Sequence, residues 1–508
     1  MFSVLLLFTF AAESGEESVL VIYHTNDVHG YAFHETDKDG KPTRWGYDYV
    51  KAVVDGDDAR NKMFLDAGDV LHGQSFATSR RGELVARILA MLDYDAIAAG
   101  NHDFDYGWER LLSLRDAYRL PFLSANVKDI HSGRPILSPY IVRDFADLRV
   151  GVFGLSTPST PTKTDPRNVT GIEFGKPSDA VGTAREVVRH LREVESADIV
   201  IGLTHIGSEA YCDLSSPVIA NLLSGVDLII DGHSHTELSG GLKVNDTVIA
   251  SAGSYLTHLG RVEVRRTGSG GYSFDAALIP AGESERVKPN PELSAAMGIL
   301  KEELERELDV VAARTPISLN GARADVRYGS ANLGRLLCAS LIDGTGADIA
   351  FINSGMIRDS IPAGDITKGT LLSVLPYGNY VFTVDITGAD LLDALSHGLS
   401  QPGSGAFPQF YGMTVEAHKI QIKLADGSTS EALAPEEVKI HGVSLKPDAT
   451  YKAAITDFMY YGGDDYRMFG KYAYDEFGTL EDLFRNFLSE SDEKSIKEID
   501  AYSVLSVR

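Results

Sequence analysis

The sequence has few cysteines, no long apolar run and a shortage of positive charge. Only Cys212 and Cys338 occur in 508 residues, which excludes a disulfide-stabilised scaffold. The chain carries 47 Lys and Arg against 72 Asp and Glu, a net charge of -25, so it lacks the broad basic surface that binds nucleic-acid backbones. We therefore expect two free thiols and no nucleic-acid polymer as a partner.

The longest apolar run lies at the amino terminus, over residues 2–12, and is too short to span a bilayer. It is typical of the hydrophobic core of a signal peptide, although the usual positively charged start is missing. Residues 499–508 lack the apolar tail of a lipid-anchor signal. We predict a signal peptide over residues 1–17, a secreted or periplasmic protein, and no permanent membrane anchor.

The composition, with 44% hydrophobic and 23% charged residues, is that of a globular chain of two or three domains. Between residues 19 and 280, short β-branched runs alternate with helical stretches, which predicts a layered α/β domain. The strands are predicted at 19–23, 63–65, 96–99, 150–154, 199–203 and 226–230. A polar stretch and a charged amphipathic helix then predict a connector, and the rest of the chain reads as an α+β domain.

Residue types that ligate metals follow five of these predicted strands. They are, in chain order, Asp27, His29, Asp69, Asn101, His205, His233 and His235. Strand ends gather functional groups because a rigid sheet holds loops that stay open to solvent. Carboxylate and imidazole donors without thiolate suit zinc, manganese or similar ions, and seven donors are too many for one tetrahedral ion. The pattern predicts two divalent metal ions bridged by Asp69, with a shared hydroxide as the nucleophile toward phosphorus.

His102 and Asp105 stand three residues apart after the third predicted strand. A histidine that a carboxylate orients can stabilise developing charge and protonate a leaving oxygen. We interpret these two residues as the catalytic acid–base pair. A single His or Asp at a strand end is more often a cap or a satisfied polar group, but repetition at five strand ends favours the functional interpretation. Other histidines, such as His34 and His131, are interpreted as ordinary polar side chains.

Two ordered sets of motifs resemble a known family. The first half contains Asp27-Val-His29, Gly68-Asp69, Gly100-Asn-His-Asp-Phe-Asp105, His205 and Gly232-His-Ser-His235. The second half contains Gly321-Ala-Arg323-Ala-Asp-Val-Arg327, Asn353-Ser-Gly-Met-Ile-Arg358, Leu375-Pro-Tyr377-Gly-Asn379 and Phe458-Met-Tyr-Tyr-Gly-Gly-Asp464. The first set resembles the calcineurin-like metallophosphoesterases, and the second resembles the C-terminal domain of the 5′-nucleotidase family. The chain is most similar to its bacterial periplasmic 5′-nucleotidases and UDP-sugar hydrolases.

The resemblance implies the architecture and the metal assignment. It implies a four-layer αββα metallophosphoesterase domain over residues 18–285, a linker helix over 286–312 and a smaller α+β nucleotide-binding domain over 313–508. One ion would be held by Asp27, His29, Asp69 and His235. The other would be held by Asp69, Asn101, His205 and His233.

The resemblance also implies a substrate site in the second domain. Arginines at Arg323, Arg327 and Arg358 would receive the substrate phosphate, as forked guanidinium groups do. Tyr377 and Phe458 would stack on the base, although by spacing alone both favour an ordinary core role. Further contacts to the nucleoside are expected as follows: Asp464 to the ribose hydroxyls, and Asn353 and Asn379 to other polar groups.

Three positions depart from the family pattern. Asp103 stands where Glu is usual, Tyr377 where Phe is commoner, and His235 where close bacterial relatives can carry Gln. We expect these changes to alter support and affinity rather than the chemistry, since imidazole is a stronger ligand than an amide.

We predict a dimetal phosphohydrolase that releases phosphate from nucleoside 5′-monophosphates. Nucleoside di- and triphosphates and UDP-sugars are further candidate substrates. Two alternatives stay open: a 2′,3′-cyclic-nucleotide phosphodiesterase and 3′-nucleotidase of the same family, and a non-catalytic nucleotide-binding or surface-adhesion protein. The sequence does not identify the native metal, the preferred base or the oligomeric state.

Overall fold

A computed structural model describes residues 17–209, 212–423 and 429–508. The predicted signal peptide lies outside these residues, apart from its last position. The chain forms two compact units. One takes in the described residues up to Thr164 together with Asn168–Glu302, and the other comprises Asp165–Arg167 and Glu303–Arg508. No helix in the described ranges combines the length and apolar character that a bilayer crossing requires.

The first unit contains two six-stranded mixed sheets. The first sheet has the order Tyr272–Pro280, His258–Arg266, Glu17–Thr25, Lys62–Asp66, Ala96–Ala98 and Phe122–Leu123. The second has the order Leu242–Val244, Thr247–Ala250, Leu228–Asp231, Ile199–His205, Leu148–Ser156 and Tyr140–Phe145. In each sheet the central strands pair in parallel.

The two sheets face each other across a shared apolar core. Ile22 and Leu65 from the first sheet pack in the same cluster as Val152, Ile201 and Ile230 from the second. Each of these side chains is at most 1% exposed. Strands buried on both faces read as continuous apolar runs, which is why the sequence signals them so clearly.

Helices cover the outer faces and complete the predicted αββα layers. The helices of this unit are Tyr47–Gly56, Ser75–Thr78, Glu83–Leu89, Trp108–Tyr118, Thr160–Lys163, Pro177–Glu193, Ser216–Leu222 and most of Pro291–Leu308. The helix Pro177–Glu193 shows why such segments are helical: a proline opens it, and Asp179 accepts a hydrogen bond from Lys176 N. Its apolar residues recur at three- and four-residue spacing and pack on the second sheet.

The second unit is α+β, as predicted. A five-stranded sheet has the order Pro408–Tyr411, Ile349–Asn353, Thr450–Thr456, Tyr380–Thr387 and Tyr474–Thr479. A four-stranded sheet has the order Val443–Ser444, Thr429–Ile440, Met413–Lys423 and Leu505–Val507, and the strands Val311–Thr315 and Gly364–Thr367 form a pair. The helices are Arg323–Val326, Asn332–Thr345, Lys368–Val374, Gly388–Leu399, Asp457–Tyr460, Leu480–Glu490 and Glu493–Ala501. Separate apolar clusters cover the two faces of the larger sheet.

The connector contains the helix Pro291–Leu308, within the segment predicted as a linker. Its residues up to Glu302 pack with the first unit and those from Glu303 with the second. Both cysteines are free, as predicted.

Candidate metal centre and substrate residues

The structure brings all seven predicted metal ligands together in the first unit. They occupy the carboxyl ends of the strands Glu17–Thr25, Lys62–Asp66, Ala96–Ala98, Ile199–His205 and Leu228–Asp231, or the loops that follow them. These strands come from both sheets. The site is therefore built where the carboxyl edges of two facing sheets meet.

Asp69 lies between histidines that the two predicted ions would use. Its Oδ2 atom is 3.6 Å from His29 Nε2 and 3.2 Å from His205 Nε2. Asp27 Oδ1 is 3.5 Å from His235 Nε2 and 3.9 Å from His205 Nε2. Two of the three groups of donors with metal-binding spacing in the described residues lie here, one of Asp27, His29 and His235 and one of Asp27, Asp69 and His205. The third consists of His72, His102 and Asp105.

Asn101 and His233 join the same network. His233 Nδ1 is 2.8 Å from Asn101 Oδ1, and the backbone N–H of His233 donates to both carboxylate oxygens of Asp27 at 3.0 Å. The rings of His205 and His233 meet edge to face with centroids 5.2 Å apart. All seven side chains thus belong to one connected cluster.

The backbone is left-handed at five of the seven positions. The φ angles are +50° at Asp27 and His29, +60° at Asp69, +80° at His233 and +57° at His235. Non-glycine residues rarely adopt this region, and such strained conformations concentrate at functional sites. These loops direct their side chains into the cluster. The packing of the surrounding sheets must offset the conformational free energy that the strained backbone costs.

Two of the histidines are oriented by backbone carbonyls. His29 Nδ1 lies 3.1 Å from the carbonyl oxygen of His72, and His205 Nδ1 lies 2.7 Å from that of Ala67. A carbonyl only accepts, so Nδ1 carries a proton and Nε2 is the nitrogen that a metal ion would use. Metal-ligating histidines are held in this way.

The charge balance of the cluster also fits cations. Asp27 and Asp69 are almost fully buried, and no Lys or Arg of the described ranges pairs with either carboxylate. Burial raises the pKa of Asp27 to about 7. Burial lowers the pKa of His205, but the carboxylates of Asp69 and Asp27 outweigh it and raise that pKa to about 10. Two buried carboxylates are stable only near positive charge. Divalent ions bound by neutral imidazoles would supply that charge.

Asp103 ties together the two loops that carry Asp69 and Asn101. Its carboxylate accepts hydrogen bonds from the backbone N–H groups of Asp69, Val70, Leu71 and Gly100 at 2.8–3.0 Å. The loops approach so closely that a Cβ atom on Gly100 would clash with the Asp69 carboxylate. The short carboxylate of Asp103 thus holds both loops in place.

The predicted acid–base pair is in hydrogen-bond contact. His102 Nδ1 donates to Asp105 Oδ2 at 2.6 Å, and the backbone N–H of His102 donates to Asp69 Oδ1 at 2.8 Å. The His102 side chain is 17% exposed and that of Asp105 is 4% exposed. The imidazole is therefore reachable by a substrate while its carboxylate partner is not. Sequence reasoning missed His72 and Thr164, which also contact Asp105.

In the second unit, the structure brings Asn353 and Asp464 together. Asn353 Nδ2 donates to Asp464 Oδ2 at 2.8 Å, and both residues are buried. Asp464 has a φ of +50°, and its carbonyl lies 2.8 Å from His397 Nε2. A buried acid in a left-handed turn is a second strained and functionally suggestive position.

Tyr377 and Asn379 lie on one loop, Phe458 lies in the helix Asp457–Tyr460, and Asp457 connects the two segments. Asn379 Nδ2 donates to Asp457 Oδ1 at 3.1 Å, and Phe458 N donates to the same oxygen at 2.8 Å. Each aromatic ring is partly buried against a different apolar cluster. Tyr377 and Asn379 also line a small cavity with Met356, Leu375, Gly378, Leu480 and Glu481. Asp457 carries no motif-level signal and was not predicted.

The three predicted phosphate-binding arginines lie on two segments of this unit. Arg323 is exposed at the start of the helix Arg323–Val326. Arg327 follows that helix and its Nη1 donates to the carbonyl of Gly403 at 3.4 Å. Arg358 is half-buried, and its backbone N–H donates to the carbonyl of Val374.

Comparison with known proteins identifies the family. The family model of the calcineurin-like phosphoesterases matches residues 20–237. The family model of the 5′-nucleotidase C-terminal domain matches residues 310–471. The 5′-nucleotidase of Vibrio cholerae is 30% identical over 89% of this chain and 87% of its own length. The chain belongs to the 5′-nucleotidase family. A crystal structure of a 5′-nucleotidase precursor from Thermus thermophilus matches 96% of the chain and 99% of its own with a TM-score of 0.77 and 26% identity.

The family includes longer proteins. The trifunctional nucleotide phosphoesterase YfkN of Bacillus subtilis is 31% identical over 90% of this chain, which spans 33% of that relative's length. As a member of the 5′-nucleotidase family, the protein is a phosphoester hydrolase that uses two divalent metal ions, and both the fold and the predicted function are confirmed.

Proposed function

We propose that the protein releases phosphate from nucleoside 5′-monophosphates outside the cytoplasm. The observation that carries this proposal is the cluster of seven donors around Asp69 and Asp27, with the His102–Asp105 pair bonded beside it. The family's members named as 5′-nucleotidases support the substrate class, and the apolar amino-terminal run supports export.

Two overlapping sets of residues would hold the ions. We assign Asp27, His29, Asp69 and His235 to the first ion and Asp69, Asn101, His205 and His233 to the second. The position of Asp69 Oδ2 near both His29 and His205 supports a bridging role for this carboxylate. When bound, the ions supply Lewis acidity toward phosphoryl oxygens and activate water.

His102 would act on the leaving oxygen of the ester. Its Nδ1 proton is directed to Asp105 Oδ2, so Nε2 is the nitrogen that faces a substrate. Asp105 stabilises the imidazolium form, which can donate a proton to the departing ribose oxygen. The backbone N–H of His102 donates to the Asp69 carboxylate, so the position of the His102 imidazole is fixed relative to the metal ligands.

The second unit would bind the nucleoside and help to place the phosphate. We assign Arg323, Arg327 and Arg358 to phosphate oxygens, and Tyr377 and Phe458 to the faces of the base. Asp464 would bind ribose hydroxyls, with Asn353 fixing its carboxylate and Asn379 available to a polar group of the nucleoside. Stacking accepts every base, so we expect broad base specificity.

The range of phosphate esters is the remaining question. The Bacillus subtilis relative is a trifunctional nucleotide phosphoesterase, so we include other phosphate esters in the test beside the monophosphates, namely nucleoside triphosphates, UDP-sugars and 2′,3′-cyclic nucleotides. We rank the monophosphates first because the named 5′-nucleotidase relative covers most of the chain.

The test is phosphate release from AMP, UMP, ATP, UDP-glucose and 2′,3′-cyclic AMP by the purified protein and by Asp69→Asn. We expect AMP and UMP to be hydrolysed, and we expect Asp69→Asn to lose metal and more than about 100-fold in turnover, since even residues that only support ligands are worth 10–100-fold. Asp246→Asn, an exposed acid of the same unit, is the matched control. Retention of two ions at a near-normal rate by Asp69→Asn would remove it from the bridge.

A further inference from the structure

Asp105 is held by more than its histidine. Its Oδ2 atom accepts from His102 Nδ1 at 2.6 Å, and its Oδ1 atom accepts from the hydroxyl of Thr164 at 2.6 Å. His72 Nδ1 lies 3.2 Å from the same Oδ2 atom. Both carboxylate oxygens therefore accept a hydrogen bond, and His72 packs beside Oδ2.

Besides His102, the residues that contact Asp105 come from distant parts of the sequence, and two of them, Thr164 and His72, are buried. Thr164 is 1% exposed and lies at the end of the helix Thr160–Lys163, 59 positions from Asp105. His72 is fully buried, and its ring lies nearly parallel to that of His102, with centroids 5.6 Å apart. Asn168 Nδ2 donates to the backbone carbonyl of Asp105 at 2.7 Å. The carboxylate and the main chain of this residue are both fixed.

Hydrogen bonds to both oxygens matter because a carboxylate with a single partner can rotate about its terminal torsion. The distribution of that torsion angle is broad and roughly two-fold. The Thr164 hydroxyl fixes Oδ1 and so keeps Oδ2 aimed at His102. A short hydrogen bond to a charged acceptor is among the stronger contacts available to a neutral hydroxyl. His72 limits the space on the remaining side of Oδ2.

We propose that Thr164 is a positioning residue that holds Asp105, and through it His102, in the orientation that proton transfer to the leaving group needs. This inference depends on the proposed role of the His102–Asp105 pair. It adds a residue that neither touches the substrate nor has a side chain typical of a metal ligand.

Thr164→Val is the first test, because it removes the hydroxyl and keeps the shape of the side chain. We expect kcat for AMP to fall about tenfold, with KM and bound metal unchanged, since only the transition state uses the oriented proton. Thr160→Val is the matched control: Thr160 is equally buried in the same helix, but its hydroxyl donates to the carbonyl of Thr157. The control should keep wild-type kcat.

A double-mutant cycle separates positioning from general stability. In an Asp105→Asn background, Thr164→Val should change kcat by less than about twofold, because the carboxylate it orients is already gone. An equal loss in both backgrounds, or an equal loss in Thr160→Val, would overturn the inference.

His102→Ala distinguishes failure of this inference from failure of the mechanism. A large loss of kcat in His102→Ala with a normal Thr164→Val would overturn only the positioning role. A normal kcat in His102→Ala would overturn the acid–base pair itself, and the positioning role with it.

Discussion

The two units present their candidate residues in different ways. In the first unit the metal-binding candidates are buried or half-buried, and backbone groups fix many of them from outside the cluster. In the second unit Arg323 is exposed, and Arg327, Arg358, Tyr377 and Phe458 are only partly buried. Under the proposed assignment, chemistry takes place at a preorganised site, whereas recognition combines the buried pair Asn353 and Asp464 with side chains that can adapt. Substitutions in the first unit should therefore act on kcat or metal content, and those in the second on KM.

The largest effect is expected from His102→Ala. Loss of positioned acid–base help should lower kcat by about 10²–10⁴ while KM changes little. The loss should be similar for AMP and UMP, because the imidazole acts on the ester and not on the base. His131→Ala, at an exposed position of the same unit, is the control for an ordinary histidine. If His102→Ala raised KM instead, the separation between the units would be broken.

Phe458→Ala tests the other side of the comparison. Loss of base stacking should weaken AMP by about 1–3 kcal/mol and affect purine and pyrimidine nucleotides alike. Nitrophenyl phosphate, which has no ribose and a smaller ring, should be affected less. A core role predicts a different result, a loss of about 3–5 kcal/mol in the free energy of unfolding with normal AMP binding per folded molecule. Kinetics for AMP and nitrophenyl phosphate beside a melting curve distinguish the two roles.

Asp103→Asn is predicted to act within the first unit without touching an ion. The substitution removes a charged acceptor from four backbone N–H groups, so the loops of Asp69 and Asn101 should loosen. Metal affinity should fall by about 10–100-fold, as for other groups that support ligands. Asp103→Glu keeps the charge and should lose less. Equal metal affinity of Asp103→Asn and the parent protein, by chelator competition, would contradict this role.

The smallest expected effect is on the free energy of unfolding at mildly acidic pH, and it should be confined to the first unit. Burial lowers the pKa of His24, a fully buried side chain of the first unit, to about 4. Between that value and the pKa of about 6.5 in an unfolded chain, only the unfolded state binds the proton, so stability falls as the pH falls. The loss between pH 7 and pH 5.5 should be about 1 kcal/mol.

Tryptophan fluorescence measures this effect in the right unit, because Trp45 and Trp108, the two tryptophans of the chain, both belong to the first. His24→Leu should flatten the pH dependence of the urea midpoint over this range. An unchanged slope in a folded His24→Leu protein would assign the acid sensitivity to other groups.

The metal-binding candidates could be predicted because each follows an apolar run, and strand ends are where a sheet gathers polar loops. The spacing of His102 and Asp105 was also sufficient, since one short turn brings them into contact. Thr164 could not be predicted, because its contact with Asp105 depends on how a distant loop folds back. The contact between Asp457 and Asn379 could not be predicted for the same reason, since 78 positions separate the two residues.

The left-handed backbone of the metal cluster has a consequence for how the site tolerates change. Glycine is the residue most at ease at positive φ, but it offers no ligand. Asp, Asn and His are the other residues most often found there, and they are also oxygen and nitrogen donors for metals. At Asp27 and His233, for example, a glycine variant should be more stable than an alanine variant and equally inactive. At these positions the residue that best suits the backbone conformation cannot bind a metal. Only a few side chains therefore allow both a stable fold and activity.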